Sequence, residues 1–382
     1  HDSVVITISH GGYIKRTNLT EYKTQNRGGV GQKSAGTRDQ DFLEHMFVAT
    51  NHQYMMFFTQ KGKCFWMRVY EIPEGSKTAK GRAIQNLVNI ESDDKVKAFI
   101  CTQDLKDKDY INTHNLVMVT KQGQVKKTSL EKYSKPRANG VAAITIKEGD
   151  ELLEAKLTDG ESQIILAVKS GKLVRFEETK TRPMGRTASG VRGITLKDET
   201  DEVIGMVTVA KNDVNDSQIL VVTENGYGKR TKLVDDDGED VYRITNRGGK
   251  GVKTLNITEK TGKLISISAV TDADDLMIIN KSGLTIRMAI EDLRVMGRAT
   301  QGVRLINLKG KDSIAAVTKV MKDDVEEVVV DEDGNVIESA IERVKPDLEV
   351  LEDDGVVEDD DDDDSEEEIE DEDDSDEEES EE

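Results

Sequence analysis

The 382-residue sequence predicts an all-β body followed by an acidic tail: a six-bladed β-pinwheel or propeller of about four-stranded blades over residues 1–322, then a disordered segment over 323–382. Three observations carry that expectation. A strand–turn–strand pattern recurs six times, a second glycine follows each turn at a near-constant interval, and charge divides sharply between the two segments.

The copies justify the elements in order. VVITISHGGYIKR (4–16) opens the first unit, MMFFTQKGKCFWMR (55–68) the second and LVMVTKQGQVKK (116–127) the third. ILAVKSGKLVRF (165–176), ILVVTENGYGKR (219–230) and LMIINKSGLTIR (276–287) open the fourth, fifth and sixth. Each begins with an apolar run of the composition that buried strands require. Each turns at Gly12, Gly62, Gly123, Gly171, Gly226 or Gly283, residues that take the positive φ of a tight hairpin at little cost. A second strand carrying basic residues follows. A polar stretch such as KTRPMGRTASG (180–190), read as a surface loop, then leads to Gly31, Gly81, Gly140, Gly190, Gly251 or Gly302, 17–25 residues after the turn. Strand composition resumes beyond it, as in VAAITI and VRGITL. Each unit of about 50 residues has the size of a propeller blade. Helical periodicity is nearly absent, and radial repetition leaves few edge strands exposed.

Residues 323–382 hold 35 acidic residues against Arg343 and Lys345, a net of −33; residues 1–322 keep 51 basic and 41 acidic residues, a net of +10. The overall −23 therefore conceals a basic body. Residues 353–382 carry too little apolar surface to fold, whereas Val325–Val350 alternates apolar and acidic residues and is expected to form local structure. A polyanion tethered beside a basic surface is expected to compete for it.

The N-terminus starts in strand-like sequence without an initiator Met, which points to a fragment of a longer chain. No signal-peptide plan and no apolar run of membrane-spanning length is present, so no membrane partner is expected. Cys64 and Cys101 form neither a disulfide framework nor a metal pair, which suits a reducing cytoplasm. His1, His10, His45, His52 and His114 lack metal-binding spacing, and no metal or other cofactor is expected. Residues 28–34 and 226–231 resemble phosphate loops superficially, but neither fits the P-loop spacing. No catalytic constellation stands out.

The basic residues recur in two places. One is the end of the post-turn strand: Lys15 and Arg16, Arg68, Lys126 and Lys127, Arg175, Lys229 and Arg230, Arg287. The other is the segment around the second glycine: Arg27 and Lys33; Lys77, Lys80 and Arg82; Lys135 and Arg137; Arg182, Arg186 and Arg192; Arg243 through Lys253; Arg294, Arg298 and Arg304. Repetition places equivalent residues at equivalent radii, which predicts a ring of positive charge that binds a phosphate backbone. Glycines beside the arginines admit a phosphate to backbone N–H groups. Sequence-specific readout is not expected, because no groove-reading helix or zinc finger is present.

Gln25-Asn26-Arg27-Gly28-Gly29-Val30-Gly31 resembles, in five of seven positions, the heptapeptide QRRGGKG that marks the C-terminal domain of the gyrase A protein of the DNA gyrase family. Thr245-Asn246-Arg247-Gly248-Gly249-Lys250-Gly251 matches it equally well and retains the lysine. The surrounding units also look like that family, over roughly 1–322. The resemblance implies a β-pinwheel whose rim wraps duplex DNA without sequence preference and gives direction to ATP-dependent supercoiling. It further implies two partners within an A2B2 assembly of the bacterial cytoplasm: the breakage-reunion domain of the same polypeptide, and the ATPase-bearing gyrase B protein. It places catalysis outside this chain and makes the first-unit box with Gln25, Gly28, Gly29 and Gly31 essential for wrapping, either alone, helped by Lys23 and Lys33, or sharing that role with the fifth-unit box. A topoisomerase IV C-terminal domain, or a propeller scaffold for an acidic protein, is the alternative.

Overall fold

A computed structural model of the protein describes residues 3–19, 41–76, 79–282, 284–298, 300–321, 329–330, 336–337 and 342–346. The first unit supplies β1 (Ser3–Ser9), β2 (Tyr13–Asn18) and β3 (Leu43–Thr50). The second supplies β4 (Tyr54–Thr59), β5 (Lys63–Arg68), the two-residue β6 (Arg82–Ala83) and β7 (Val96–Cys101). The third gives β8 (Asn115–Thr120), β9 (Gln124–Ser129), β10 (Val141–Ala142) and β11 (Leu152–Thr158), and the fourth β12 (Gln163–Val168), β13 (Lys172–Glu177), β14 (Val191–Arg192) and β15 (Val203–Val209). The fifth gives β16 (Gln218–Thr223), β17 (Tyr227–Lys232), β18 (Val252–Lys253) and β19 (Leu264–Val270), and the sixth β20 (Asp274–Asn280), β21 (Thr285–Ala289), β22 (Val303–Arg304) and β23 (Ile314–Met321). Helical segments are short, as in α1 (Lys108–Thr113), whose Asp107 accepts the Asp109 and Tyr110 N–H groups as an N-cap.

Four strands per blade agree with the sequence reading, but their origin does not follow the units. The first sheet is ordered β3–β1–β2–β6, so its fourth strand comes from the second unit. The same exchange gives β10 to the second blade, β14 to the third, β18 to the fourth and β22 to the fifth. Each donated strand begins one residue after a second glycine. Physical necessity explains that residue. Gly251 has φ +81°, and a Cβ there would lie 2.4 Å from the Leu173 carbonyl oxygen. Its counterparts Gly81, Gly190 and Gly302 would bring a Cβ to 2.5 Å from the carbonyls of Ile14, Val125 and Gly228. Only glycine crosses so close to another backbone.

The first strand of each blade is buried on both faces because neighbouring blades cover it. In β8, Leu116 and Met118 join an apolar layer with Met56 and Phe58 of the second blade. Val117 and Val119, pointing oppositely, join Ile164 and Leu166 of the fourth. Further layers lie between the first and second, fourth and fifth, and fifth and sixth blades. The ring closes where Thr318 of β23 donates to Glu44 of β3 at 3.1 Å, and His10 pairs with the same carboxylate at 3.3 Å.

Residues 329–330 and 336–337 pair as β24 and β25, the local structure expected of Val325–Val350, and β26 (Glu342–Arg343) returns to the sixth blade beside β21. The acidic run beyond 346 lies outside the described residues.

Candidate nucleic-acid interface

Basic residues at the ends of the post-turn strands turn inward. Lys15, Lys126, Lys127, Arg175, Lys229 and Arg230 are all buried. Three lysines occupy the third position after the turn glycine in the odd blades, and each fastens the following unit's loop. Lys15 Nζ donates to the carbonyls of Ser76 (3.1 Å) and Ala79 (2.7 Å). Lys126 donates to those of Ala143 and Arg186. Lys229 reaches the carbonyls of Gly297 (2.8 Å), Arg298 and Thr300. In the even blades this place holds Phe65, Val174 and Ile286. Burial, with Arg298 close by, pushes the Lys229 ammonium down to about 7.

The next residue along fastens a second point. Arg16 Nε donates to the Ile72 carbonyl (3.1 Å), Lys127 Nζ to Glu178 (3.0 Å) and Arg230 Nε to Leu293 (2.7 Å). Burial lowers the Lys127 ammonium, while the adjacent Glu178 raises it. Arg175 donates through Nε to Gln163 and through Nη1 to Asp240 and the Tyr242 carbonyl. These charges address protein oxygens, so the sequence-predicted ring divides into a buried fastening row and an outer row.

The outer row stands on the loops and on the short strands β6, β14 and β22. Lys80, Arg82, Lys135, Arg137, Arg182, Arg192, Arg243, Lys250 and Arg294 are exposed. Lys80 lies 4.1 Å from the Tyr13 ring centre, and Arg304, half-buried, stacks by the Tyr227 ring and donates to its hydroxyl. Arg186, Arg247 and Arg298 each stand four residues before a second glycine. Each sends Nη1 to a carbonyl of the preceding unit's short strand: Ala142 of β10 (3.5 Å), Arg192 of β14 (3.2 Å) and Lys253 of β18 (3.3 Å). The loops of the fourth, fifth and sixth units are thereby each tied to the unit before. Arg27 holds the same position before Gly31. It lies outside the described residues, as do Gln25, Gly28, Gly29, Gly31 and Lys33.

The fifth-unit box is described in full. Gly248 donates to the Gly193 carbonyl at 2.8 Å. Thr195 returns its hydroxyl to the Gly248 carbonyl (2.6 Å) and its N–H to that of Gly249 (2.9 Å). Lys250 then borders a cavity of about 560 Å³ with Lys169, Lys172, Lys197, Lys253 and Lys263. Lys172 and Lys253 are direct cross-strand partners. Like charges so placed repel, and an anion between them relieves the repulsion. The two carboxylates in the wall are engaged: Asp201 accepts from Ser170 and from the Lys197 N–H, and Asp198 from Thr200. Sequence spacing identified Lys250 but missed this cavity, because its other lysines come from three separated segments.

Among the described residues no group of three or more His, Cys, Asp and Glu side chains could hold a metal ion, and no helix is long and apolar enough to cross a membrane.

A known family matches the chain in six segments, 3–50, 53–103, 114–159, 163–210, 217–271 and 274–321; its description is DNA gyrase C-terminal domain, β-propeller. The gyrase A protein of Staphylococcus aureus strain MRSA252 is 42% identical over 342 residues, covering 90% of this chain and 37% of that protein. Its counterpart in strain NCTC 8325 is 42% identical over 331 residues, covering 87% and 36%. The chain thus spans little more than a third of these relatives. Among solved structures, the C-terminal domain of DNA topoisomerase IV superposes with TM-score 0.71 at 25% identity, over 84% of this chain and 94% of that one. A DNA gyrase A C-terminal domain superposes with TM-score 0.59 at 23% identity, over 84% and 100%, a likeness of fold.

Proposed function

The chain belongs to the DNA gyrase C-terminal domain family of β-propellers, and from that premise we propose that its body binds, bends and wraps duplex DNA along the outer row of loop cations. The observation that carries this is that the loops of the fourth, fifth and sixth units are each tied to the short strand of the unit before, with Arg82, Arg137, Arg192 and Lys250 exposed and Arg304 half-buried on successive units. Phosphates are the target, since flexible Lys and Arg on glycine-rich loops address charge and not base edges. Lys15, Arg16, Lys126, Lys127, Lys229 and Arg230 act as positioning residues that set loop height.

Within the larger protein, this domain delivers bent DNA to a breakage-reunion domain of the same polypeptide, working with the ATPase-bearing gyrase B protein in an A2B2 assembly of the bacterial cytoplasm. The reading asks for no catalytic residue and no cofactor in this chain. The topoisomerase IV neighbour supports a second reading; the 42% identity to gyrase A proteins favours the first.

Titrating duplexes of different length against salt tests the proposal. Contact with six or more phosphates predicts a slope of log K against log salt near −0.9 per phosphate. Duplexes of about 60 base pairs should bind more tightly than those of about 15 at equal salt, because only the longer reach successive blades. A flat salt response, or affinity independent of length, contradicts wrapping.

A further inference from the structure

The cavity bordered by Lys250 lies where the repeat departs from its own rule. In each of the five blades that receive a donated strand, the first residue after the turn glycine faces a residue of that strand. The pairs are Tyr13–Ala83, Lys63–Ala142, Gln124–Arg192, Lys172–Lys253 and Tyr227–Arg304. Four of them join compatible neighbours; Arg304, for example, stacks by the Tyr227 ring and donates to its hydroxyl. Of these five pairs, only that of the fourth blade opposes two ammonium groups, and both lysines are half-buried. A like-charged cross-strand pair weakens a sheet, and a local rule broken at the expense of stability marks function.

The surroundings compound the charge. Lys197, Lys250 and Lys263, all exposed, border the same cavity of about 560 Å³, as does Lys169, which pairs with Glu202 at 3.2 Å. The wall's two carboxylates are turned to other partners: Asp201 accepts from the Ser170 hydroxyl (2.8 Å) and the Lys197 N–H (3.0 Å), and Asp198 from the Thr200 hydroxyl (2.6 Å). Val168, Leu196, Leu255 and Ile257 supply apolar lining, which strengthens each charge interaction beside it. The two walls are also held at a fixed spacing, because Thr195 of one bonds to Gly248 and Gly249 of the other. Such preorganisation lowers the cost of binding.

We propose that this cavity between the fourth-blade turn and the fifth-unit box is a binding site for a compact free oligophosphate, a flexible chain of three or more linked phosphates. Lysine ammonium groups address phosphate oxygens as point charges, and the volume is that of a small-ligand site. A single phosphate is too small to answer cations contributed by three segments. A stiff duplex presents its phosphates along a convex surface and cannot fold several of them into one concavity, whereas a flexible chain can. Lys250 belongs to the outer row, so an occupied cavity neutralises part of the rim and weakens DNA binding. That consequence rests on the DNA-binding reading above; the oligophosphate site itself does not.

Calorimetric titration of the full chain with inorganic tripolyphosphate, in magnesium-free buffer of low salt, tests the site. Saturable binding is expected in the parent. The double variant Lys172→Met, Lys253→Met should bind about tenfold more weakly, the worth of two partly buried ion pairs. The double variant Lys309→Met, Lys311→Met removes equal charge from exposed lysines of the sixth unit and should stay within about twofold of the parent. Without ligand, Lys172→Met, Lys253→Met should melt above the parent at low salt, since the repulsion is gone; a lower melting temperature overturns the claim that the pair is kept at a cost. Absence of binding, or equal weakening in both double variants, overturns the site. Saturating tripolyphosphate should reduce affinity for a duplex of about 60 base pairs in the parent and leave that of Lys172→Met, Lys253→Met unmoved. Duplex affinity unmoved in the parent overturns the consequence for DNA. A chain that binds no duplex contradicts the DNA reading instead, and the calorimetry then decides the oligophosphate site alone.

Discussion

Lys126 and Lys135 look alike in sequence and differ in what they do. Lys126 is fully buried on two carbonyls, and Lys135 is exposed on a loop. Removing a buried donor leaves its acceptors unsatisfied at about 1–3 kcal/mol each. Lys126→Met should therefore lower the melting temperature by several degrees, while Lys135→Met stays within about 0.5 kcal/mol of the parent. Lys229 adds a pH signature. Its amine is depressed to about 7 in the folded chain, below the ~10.4 of an unfolded lysine. Between those values the unfolded state holds the extra proton, so this residue's contribution to stability rises with pH across the window and is least below 7. Denaturant melts from pH 7 to 10 should show a slope up to about 1.4 kcal/mol per pH unit steeper in the parent than in Lys229→Met; identical slopes refute the assignment. The recurrence of these cations was legible in the sequence, but their direction was not. Spacing fixes strand position, whereas burial depends on the loop that the next unit lays across it.

At the element scale, the second glycines were legible and their purpose was not. A constant interval marks a constrained backbone, but two residues such as Val191–Arg192 carry no signal of which blade they join. The fourth strand was accordingly assigned to its own unit, and the structure gives it to the preceding one. Gly251 and Gly238 separate the two demands on glycine. Both have positive φ, +81° and +84°, yet a Cβ meets a carbonyl oxygen at 2.4 Å in Gly251 and nothing within 4 Å in Gly238. Gly238→Ala should lose about 1–2 kcal/mol from backbone conformation alone. Gly251→Ala adds the clash and should lose clearly more, with weakened DNA binding as the fifth-unit box shifts. Equal losses in urea denaturation would show that the close approach is unimportant.

At the scale of the whole molecule, five apolar layers hold successive blades together, and the sixth-to-first closure carries the Thr318–Glu44 and His10–Glu44 ties. Six units, their basic excess and the family resemblance all followed from the sequence, because each is a matter of period and composition. The lysine-lined cavity and the tail's return to β21 did not, since both depend on segments far apart in the chain. The central claim is that the outer cations wrap DNA while the inner ones hold the loops. It is tested most directly by relaxing a closed circular plasmid with a type I topoisomerase in the presence of the chain, then removing protein and resolving the topoisomers. Wrapping constrains writhe, so the distribution should shift in proportion to bound chain, and the combined variant Arg82→Ala, Arg192→Ala, Lys250→Ala should abolish the shift with its melting temperature unchanged. A distribution that the parent chain leaves unmoved, or one that the triple variant shifts equally, would contradict it.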